Sequence, residues 1–132
     1  MQKQTKILVI DDDPDVHTVV KKILEPKSYQ IISAFDGEEG LAKVVNERPD
    51  LIILDVIMPG RHGFEICRQL KTDDKYHFFS SIPVLMLTVY PEDREKAHLS
   101  IREGMMMEAD DYLQKPVDAQ ELTKRVEDLL RT

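Results

Sequence analysis

Carboxylate side chains follow two apolar runs of the sequence, at the point where each run ends. Asp11, Asp12 and Asp13 come directly after ILVI, and Asp55 comes directly after LIIL. Adjacent negative charges repel one another, and a buried carboxylate without a compensating charge is costly. Hard oxygen ligands that leave positions for water suit Mg²⁺. Such a metal would neutralise the acids and hold an incoming phosphoryl group, toward which an aspartate can act as nucleophile.

Two further polar residues stand at the ends of later apolar runs. Thr88 closes VLMLT, and Lys115 follows DYLQ. A lysine ammonium would neutralise more of the charge on a phosphoryl group, and a threonine hydroxyl can donate a hydrogen bond to one of its oxygens. The chemistry therefore requires a fold that brings these two residues to the acids.

The alternation of apolar runs with segments of helical periodicity predicts such a fold. The runs cover residues 6–10, 29–35, 51–54, 83–87 and 111–114. Several are apolar on both faces, which is typical of strands in a parallel sheet covered on both sides. We predict an α/β fold, a (βα)5 open parallel five-stranded sheet with helices on both faces. Ligands of such sheets bind beyond the carboxyl ends of the strands, where all these polar residues would gather.

Composition limits the classes of function. The chain has 132 residues and a net charge of −7. We predict one domain over residues 1–132, with a short polar N-terminal tail at 1–5. The acidic balance argues against nucleic-acid binding by this domain, and neither a signal peptide nor a membrane span is visible. A single cysteine, Cys67, cannot form an internal disulfide, so a cytoplasmic location is predicted.

Four motifs together resemble the receiver (CheY-like) domain of two-component response regulators. They are VIDDD at 9–13, LDVIMPGRHG at 54–63, LT at 87–88 and DDYLQKP at 110–116, in the order of that family. The resemblance covers nearly the whole chain. It implies the flavodoxin-like strand order 2-1-3-4-5.

The resemblance also implies a role for each site residue. Asp55 would be the phosphoacceptor. Mg²⁺ would be bound by Asp12, Asp55 and the backbone carbonyl of Ile57, and through water by Asp11. Lys115 would contact the phosphoryl group. The remaining implied positions are the switch pair Thr88 and Tyr112 and a cis peptide bond before Pro116.

The sequence also gives expectations for residues outside this set of site roles, and one residue of the set has two interpretations. Asp13 is expected to cap a helix, and Tyr112 is either a switch residue or part of the core. His17 and the three other histidines are expected to be solvated or in loops. A long loop is expected at 71–82.

The chain also departs from the family. Val89 replaces a residue that is usually small, and Tyr90 and Ile57 beside the site are bulky, which predicts a long-lived acyl phosphate. The segment 102–112 reads REGMMMEADDY, where the family commonly has GADDY directly before the tyrosine.

The implied function is a phosphorylation-controlled signalling switch rather than an enzyme. A sensor histidine kinase or a phosphotransfer protein would supply the phosphoryl group, and the surface of the fourth helix, fifth strand and fifth helix would change. A downstream protein of unknown identity, or a second copy in a homodimer, would read that surface. Two alternatives are a phosphorylation-independent binding module and an aspartate-nucleophile phosphohydrolase. The second needs another acid two positions after the nucleophile, where this chain has Ile57.

Overall fold

A five-stranded parallel sheet forms the centre of the computed structural model, which describes residues 4–58, 62–88 and 109–131. The strands are β1 (Thr5–Ile10), β2 (Tyr29–Ala34), β3 (Leu51–Asp55), β4 (Val84–Thr88) and β5 (Asp111–Gln114). Their order in the sheet is β2-β1-β3-β4-β5, with every neighbouring pair parallel. The predicted flavodoxin-like order is therefore confirmed.

Four α-helices connect or follow these strands within the described residues. They are α1 (Pro14–Leu24), α2 (Gly37–Glu47), α3 (Gly63–Thr72) and the C-terminal helix (Ala119–Arg131). The expected cap at Asp13 is present, because its side chain accepts a hydrogen bond from the Asp15 N–H at 2.9 Å. The predicted fourth helix falls within residues 89–108, outside the described residues.

Alternation along the strands divides the core into two layers, one on each face of the sheet. Ile7, Val9, Leu51 and Ile53 pack against α1 and the C-terminal helix. The residues between them in sequence, such as Leu8 and Ile52, pack against α2 and α3. Each fully buried Leu or Ile side chain contributes roughly 1.5–3 kcal/mol. This two-layer burial explains the continuous apolar runs and confirms that helices cover both faces.

Two segments differ from the sequence prediction. β1 begins at Thr5, the last residue of the predicted polar tail, because Thr5 pairs with Tyr29 of β2. The expected loop at 71–82 contains the end of α3 and a 3₁₀ helix, Asp74–Phe79. The Lys71 ammonium lies beneath this segment and donates to the carbonyls of Ser80 (2.9 Å) and Ile82 (2.7 Å). These hydrogen bonds within the segment order a stretch that has no clear periodicity in sequence.

Candidate functional site

The register of the sheet brings the ends of three strands together. Asp55 is the last residue of β3 and pairs with Leu87 of β4. Asp11 follows the end of β1, which lies beside β3, and Lys115 follows the end of β5, which lies beside β4. Residues separated by more than 40 positions therefore meet at the carboxyl edge of the sheet, as expected for this class of fold.

The three acids of this edge differ in exposure. Asp11 is fully buried and Asp55 is 2% exposed, whereas Asp12 is exposed. Each acid offers one carboxylate oxygen, and these three oxygens all lie within 4.8 Å of one another. Two buried carboxylates and one that solvent can reach form an open cup of hard oxygen ligands.

Lys115 compensates part of the charge of this cup. Its Nζ atom lies 2.9 Å from Oδ2 of Asp11 and 3.2 Å from Oδ1 of Asp55. Burial lowers the pKa of Lys115, but the hydrogen bonds and charges of these two acids outweigh burial, so the net pKa is raised. The ammonium is therefore held in its charged form between two carboxylates.

The charged form of the Asp55 carboxyl group is destabilised by its surroundings. Burial raises its pKa to about 6, and the charge of Asp11 acts in the same direction. The ammonium of Lys115 and the N–H of Ile57, 3.4 Å from Oδ1, act in the opposite direction but do not compensate fully. One lysine is therefore too little positive charge for this cluster of acids.

The residues present fit a divalent cation. Oδ2 of Asp11 is buried and, within the described parts of the chain, has no hydrogen-bond partner beyond its ion-pair contact with Lys115. A buried carboxylate oxygen that lacks a full set of partners, beside two other carboxylates, is a donor set that suits a hard cation such as Mg²⁺.

The backbone next to Asp55 is packed without spare room. Gly63, the first residue of α3, donates its N–H to the carbonyl of Val56 at 2.8 Å. A Cβ atom on Gly63 would overlap the carbonyl oxygen of Asp55. Only a residue without a side chain lets α3 begin this close to the acid. On the other side of the site, the Lys115–Pro116 peptide bond is cis.

Thr88 and Tyr112 lie on one face of the sheet. Tyr112 pairs with Met86 and Gln114 pairs with Thr88, so alternation places Thr88 and Tyr112 on the face covered by α2 and α3. Tyr112 is half-buried against that layer, and its pKa is raised by burial and then by Cys67 and Asp110. The pairing is compatible with both sequence interpretations of Tyr112, core residue and switch residue.

One residue of this region was missed in the sequence. His17 was expected to be solvated, but it is 3% exposed on α1. Its Nε2 atom lies 2.7 Å from the carbonyl oxygen of Asp11, and its Nδ1 atom lies 2.9 Å from Oγ of Ser33. The spacing of His17 to Val20 and Leu24, the buried residues of α1, was the available signal.

Several positions at which the chain departs from the family fall outside the described residues. These are Val89, Tyr90 and the part of the segment 102–112 before residue 109. The side chain of Ile57, expected to shield the site together with Tyr90, is 49% exposed. The predicted shielding therefore stays a prediction.

The sequence of the chain matches one protein family over most of its length. A family model described as the response regulator receiver domain matches residues 7–127. The chain belongs to the response regulator receiver domain family. This receiver domain accordingly has the family membership and the fold that the sequence motifs predicted.

Curated relatives of the receiver domain are transcriptional regulators. It is 42% identical to the alkaline phosphatase synthesis transcriptional regulatory protein PhoP of Bacillus subtilis, over 96% of this chain and 48% of PhoP. It is 41% identical to the DNA-binding dual master transcriptional regulator RpaA of Synechocystis, over 96% of this chain and 49% of RpaA. The receiver domain thus spans about half the length of these curated relatives.

Solved structures agree on the fold. A putative response regulator from Chloroflexus aurantiacus superimposes with a TM-score of 0.81 at 32% identity, covering 98% of this chain and all of that chain. The signal receiver domain of a signal transduction histidine kinase from Syntrophus aciditrophicus gives 0.82 at 33% identity, with 96% and 90% covered. Among the described helices of the receiver domain, none is long and apolar enough to cross a bilayer.

Proposed function

We propose that this receiver domain accepts a phosphoryl group on Asp55 in a Mg²⁺-dependent reaction and acts as a switch. The donor is a phosphohistidine of a sensor histidine kinase or of a phosphotransfer protein. The observation that carries the proposal is the meeting of Asp11, Asp12 and Asp55, whose ligand oxygens lie within 4.8 Å, with the ammonium of Lys115. Two buried carboxylates and one exposed carboxylate that together need a cation form an arrangement that suits phosphoryl acceptance.

The reaction consists of one bond made and one bond broken. A carboxylate oxygen of Asp55 attacks the phosphorus of the phosphohistidine, the P–N bond breaks, and its electron pair stays with the imidazole. We assign the attack to Oδ2, because Oδ1 already accepts from Lys115 and from the N–H of Ile57. The product is an acyl phosphate on Asp55 and a free histidine on the donor.

The neighbours of Asp55 have separate tasks. Lys115 neutralises charge on the phosphoryl group and orients Oδ1, and the hydroxyl of Thr88 donates to a phosphoryl oxygen. Asp12, Asp55 and the carbonyl of Ile57 would hold Mg²⁺, with Asp11 acting through water. When bound, the ion supplies positive charge that neutralises the acids and the transferring group. The same residues assist later hydrolysis of the acyl phosphate.

The output is a shift between two conformations. Phosphorylation moves the equilibrium only if the phosphoryl group is held better in one of them. Movement of the Thr88 hydroxyl toward the phosphoryl group makes room for the ring of Tyr112, which lies on the same face of the sheet. The surface that changes contains β5, the C-terminal helix and the fourth helix predicted from the sequence, which lies outside the described residues. A downstream protein reads this surface.

The test is the intact mass of the protein after incubation with acetyl phosphate and Mg²⁺. We expect one added phosphoryl group on wild type and none on Asp55→Asn. Asp128→Asn, which changes an exposed aspartate of the C-terminal helix in the same way, should be modified like wild type. A folded wild type that stays unmodified would contradict the proposal and favour a phosphorylation-independent binding module.

A further inference from the structure

His17 lies beneath the acidic cup and contacts its backbone. The ring is buried on the inner side of α1, with its centroid 4.3 Å from that of Phe35. A carbonyl oxygen can only accept, so the 2.7 Å contact with Asp11 requires that Nε2 of His17 carries the proton and donates. In the neutral ring Nδ1 then accepts, which makes the hydroxyl of Ser33 its donor. The imidazole thus links the end of β1 to β2 through both of its ring nitrogens.

His17 completes a set of contacts that immobilises Asp11. The N–H of Asp11 donates to the carbonyl of Ala34 at 3.1 Å. Its Oδ1 accepts from the N–H of Asp13 at 2.9 Å, and its Oδ2 contacts Lys115. The carbonyl held by His17 is the remaining polar group of the residue, and it belongs to the peptide unit that joins Asp11 to Asp12. Since a peptide unit is planar, fixing this carbonyl fixes the direction in which the chain enters Asp12.

Asp12 is the acid for which this restraint matters most. Its side chain is exposed, unlike the buried side chains of Asp11 and Asp55. An exposed aspartate samples several rotamers, and a rotated peptide would let its carboxylate turn into solvent. Outer residues that orient metal ligands commonly change metal affinity by 10–100-fold.

We propose that His17 is a positioning residue for the cation site, which acts by holding the Asp11–Asp12 peptide so that Asp12 completes the cup. The inference rests on the metal site of the proposed function. It assigns to a histidine of α1 a role that does not involve contact with the ion or with the phosphoryl group.

Two measurements on a small set of variants test the role. Mg²⁺ affinity is measured by titration calorimetry, and the free energy of unfolding is measured by urea in the presence of EDTA. His17→Phe keeps a ring against Phe35 but removes both nitrogens, and His17→Gln keeps an N–H donor of similar reach. Val126→Ala, in the core beneath the C-terminal helix and away from the site, is the control for lost stability alone.

We expect His17→Phe to weaken Mg²⁺ binding at least about tenfold, and His17→Gln to recover most of that loss. Val126→Ala should lower the stability and leave the Mg²⁺ affinity unchanged. Ser33→Ala, which removes only the partner of Nδ1, should weaken binding in the same direction but less, and it carries the test if His17→Phe does not fold.

Three results would overturn the inference. The first is a wild-type Mg²⁺ affinity in the folded His17→Phe or Ser33→Ala variant. The second is an equal loss of Mg²⁺ affinity in His17→Gln and His17→Phe. The third is a loss of Mg²⁺ affinity in Val126→Ala that is in proportion to its loss of stability. If wild type itself does not bind Mg²⁺, the metal site of the proposed function fails together with the inference. If wild type binds and His17→Phe binds equally well, the inference alone fails.

Discussion

The Nζ atom of Lys115 lies 3.2 Å from Oδ1 of Asp55, although 60 positions separate the two residues along the chain. The same ammonium lies 2.9 Å from Oδ2 of Asp11. One cation thus serves two buried carboxylates, and Asp55 remains short of compensation. The charge balance of the site can therefore be measured, because removal of Lys115 or of Asp55 changes the electrostatic environment of the other.

Lys115→Met should destabilise the protein when no divalent cation is present. Loss of one partner from a buried ion pair leaves uncompensated charge, which typically costs about 3–5 kcal/mol. We expect the lower part of that range, because the Lys115 side chain is 18% exposed. Mg²⁺ should restore part of the stability, since it supplies the missing positive charge. Urea unfolding with EDTA and with Mg²⁺ measures both effects.

Lys124→Met is the matched control for that variant, because it removes an exposed lysine of the C-terminal helix. Its free energy of unfolding should stay within about 0.5 kcal/mol of wild type. Equal losses in Lys115→Met and Lys124→Met would show that the buried ion pairs do not contribute to stability.

The stability of the metal-free protein should fall between about pH 4 and pH 7. Asp55 has a pKa of about 6 in the folded protein against 3.8 ordinarily. The folded state therefore binds more protons than the unfolded state across this interval, and stability decreases as pH rises. The loss attributable to Asp55 is at most about 3 kcal/mol at pH 7.

Asp55→Asn isolates this contribution, because asparagine does not titrate. Unfolding by urea at several pH values in EDTA should give a curve for wild type that falls relative to the variant as pH rises. Below pH 4 the difference should reach its limiting value. Parallel curves for the two proteins would show that the pKa of Asp55 is not raised in the folded state.

Mg²⁺ should stabilise the protein through Asp12. At a concentration one hundred times the dissociation constant, a ligand that binds only the folded state adds about 2.7 kcal/mol. Asp12→Ala should abolish this gain while leaving the stability in EDTA nearly unchanged, because Asp12 is exposed.

Asp13→Ala is the complementary control for the neighbouring acid. It removes the N-cap of α1, which should lower the free energy of unfolding by about 1 kcal/mol both with and without Mg²⁺. The stabilisation by Mg²⁺ should be preserved in this variant. A Mg²⁺ gain that survives in Asp12→Ala but disappears in Asp13→Ala would reverse the assignment of the two acids.

Gly63→Ala should damage the acceptor site more than Gly40→Ala damages the core. A Cβ atom at Gly63 meets the backbone of Asp55 and Val56, which cannot move without displacing the acid. At Gly40 it would lie 2.5 Å from Cδ1 and 2.9 Å from Cγ1 of the buried Ile10, which are atoms of a side chain rather than of the backbone. Overpacking costs about 1–3 kcal/mol, and we expect Gly63→Ala at the upper end and Gly40→Ala at the lower.

Phosphorylation distinguishes these two glycine variants as well. Gly63→Ala should accept less phosphoryl group from acetyl phosphate at equal folded fraction, because Asp55 is displaced, whereas Gly40→Ala should react like wild type. Intact mass at several time points measures the rate. Equal rates in both folded variants would mean that the start of α3 does not position Asp55.

Local pattern in the sequence was enough to predict the sheet and the members of the acidic site. The apolar runs marked each strand to within a residue or two, and the acids at their ends pointed to one edge of the sheet. These features are readable because alternation of burial along a strand and the meeting of parallel strand ends depend little on side-chain detail. The 3₁₀ helix after α3 was missed, because the segment that contains it is held by hydrogen bonds from Lys71 to the carbonyls of Ser80 and Ile82 and not by a periodic apolar pattern.

Only the tertiary structure decided how charge and contact are distributed among those residues. Asp11 and Asp12 are adjacent acids in the sequence, yet one is buried against Lys115 and the other is exposed. His17 reads as one more polar residue, yet it holds the carbonyl of Asp11. Burial, pKa and hydrogen-bond partners depend on distances between segments far apart in the chain, and the register of β1, β3, β4 and β5 sets those distances. A sequence pattern reports the face on which a residue lies, but not the atoms it meets there.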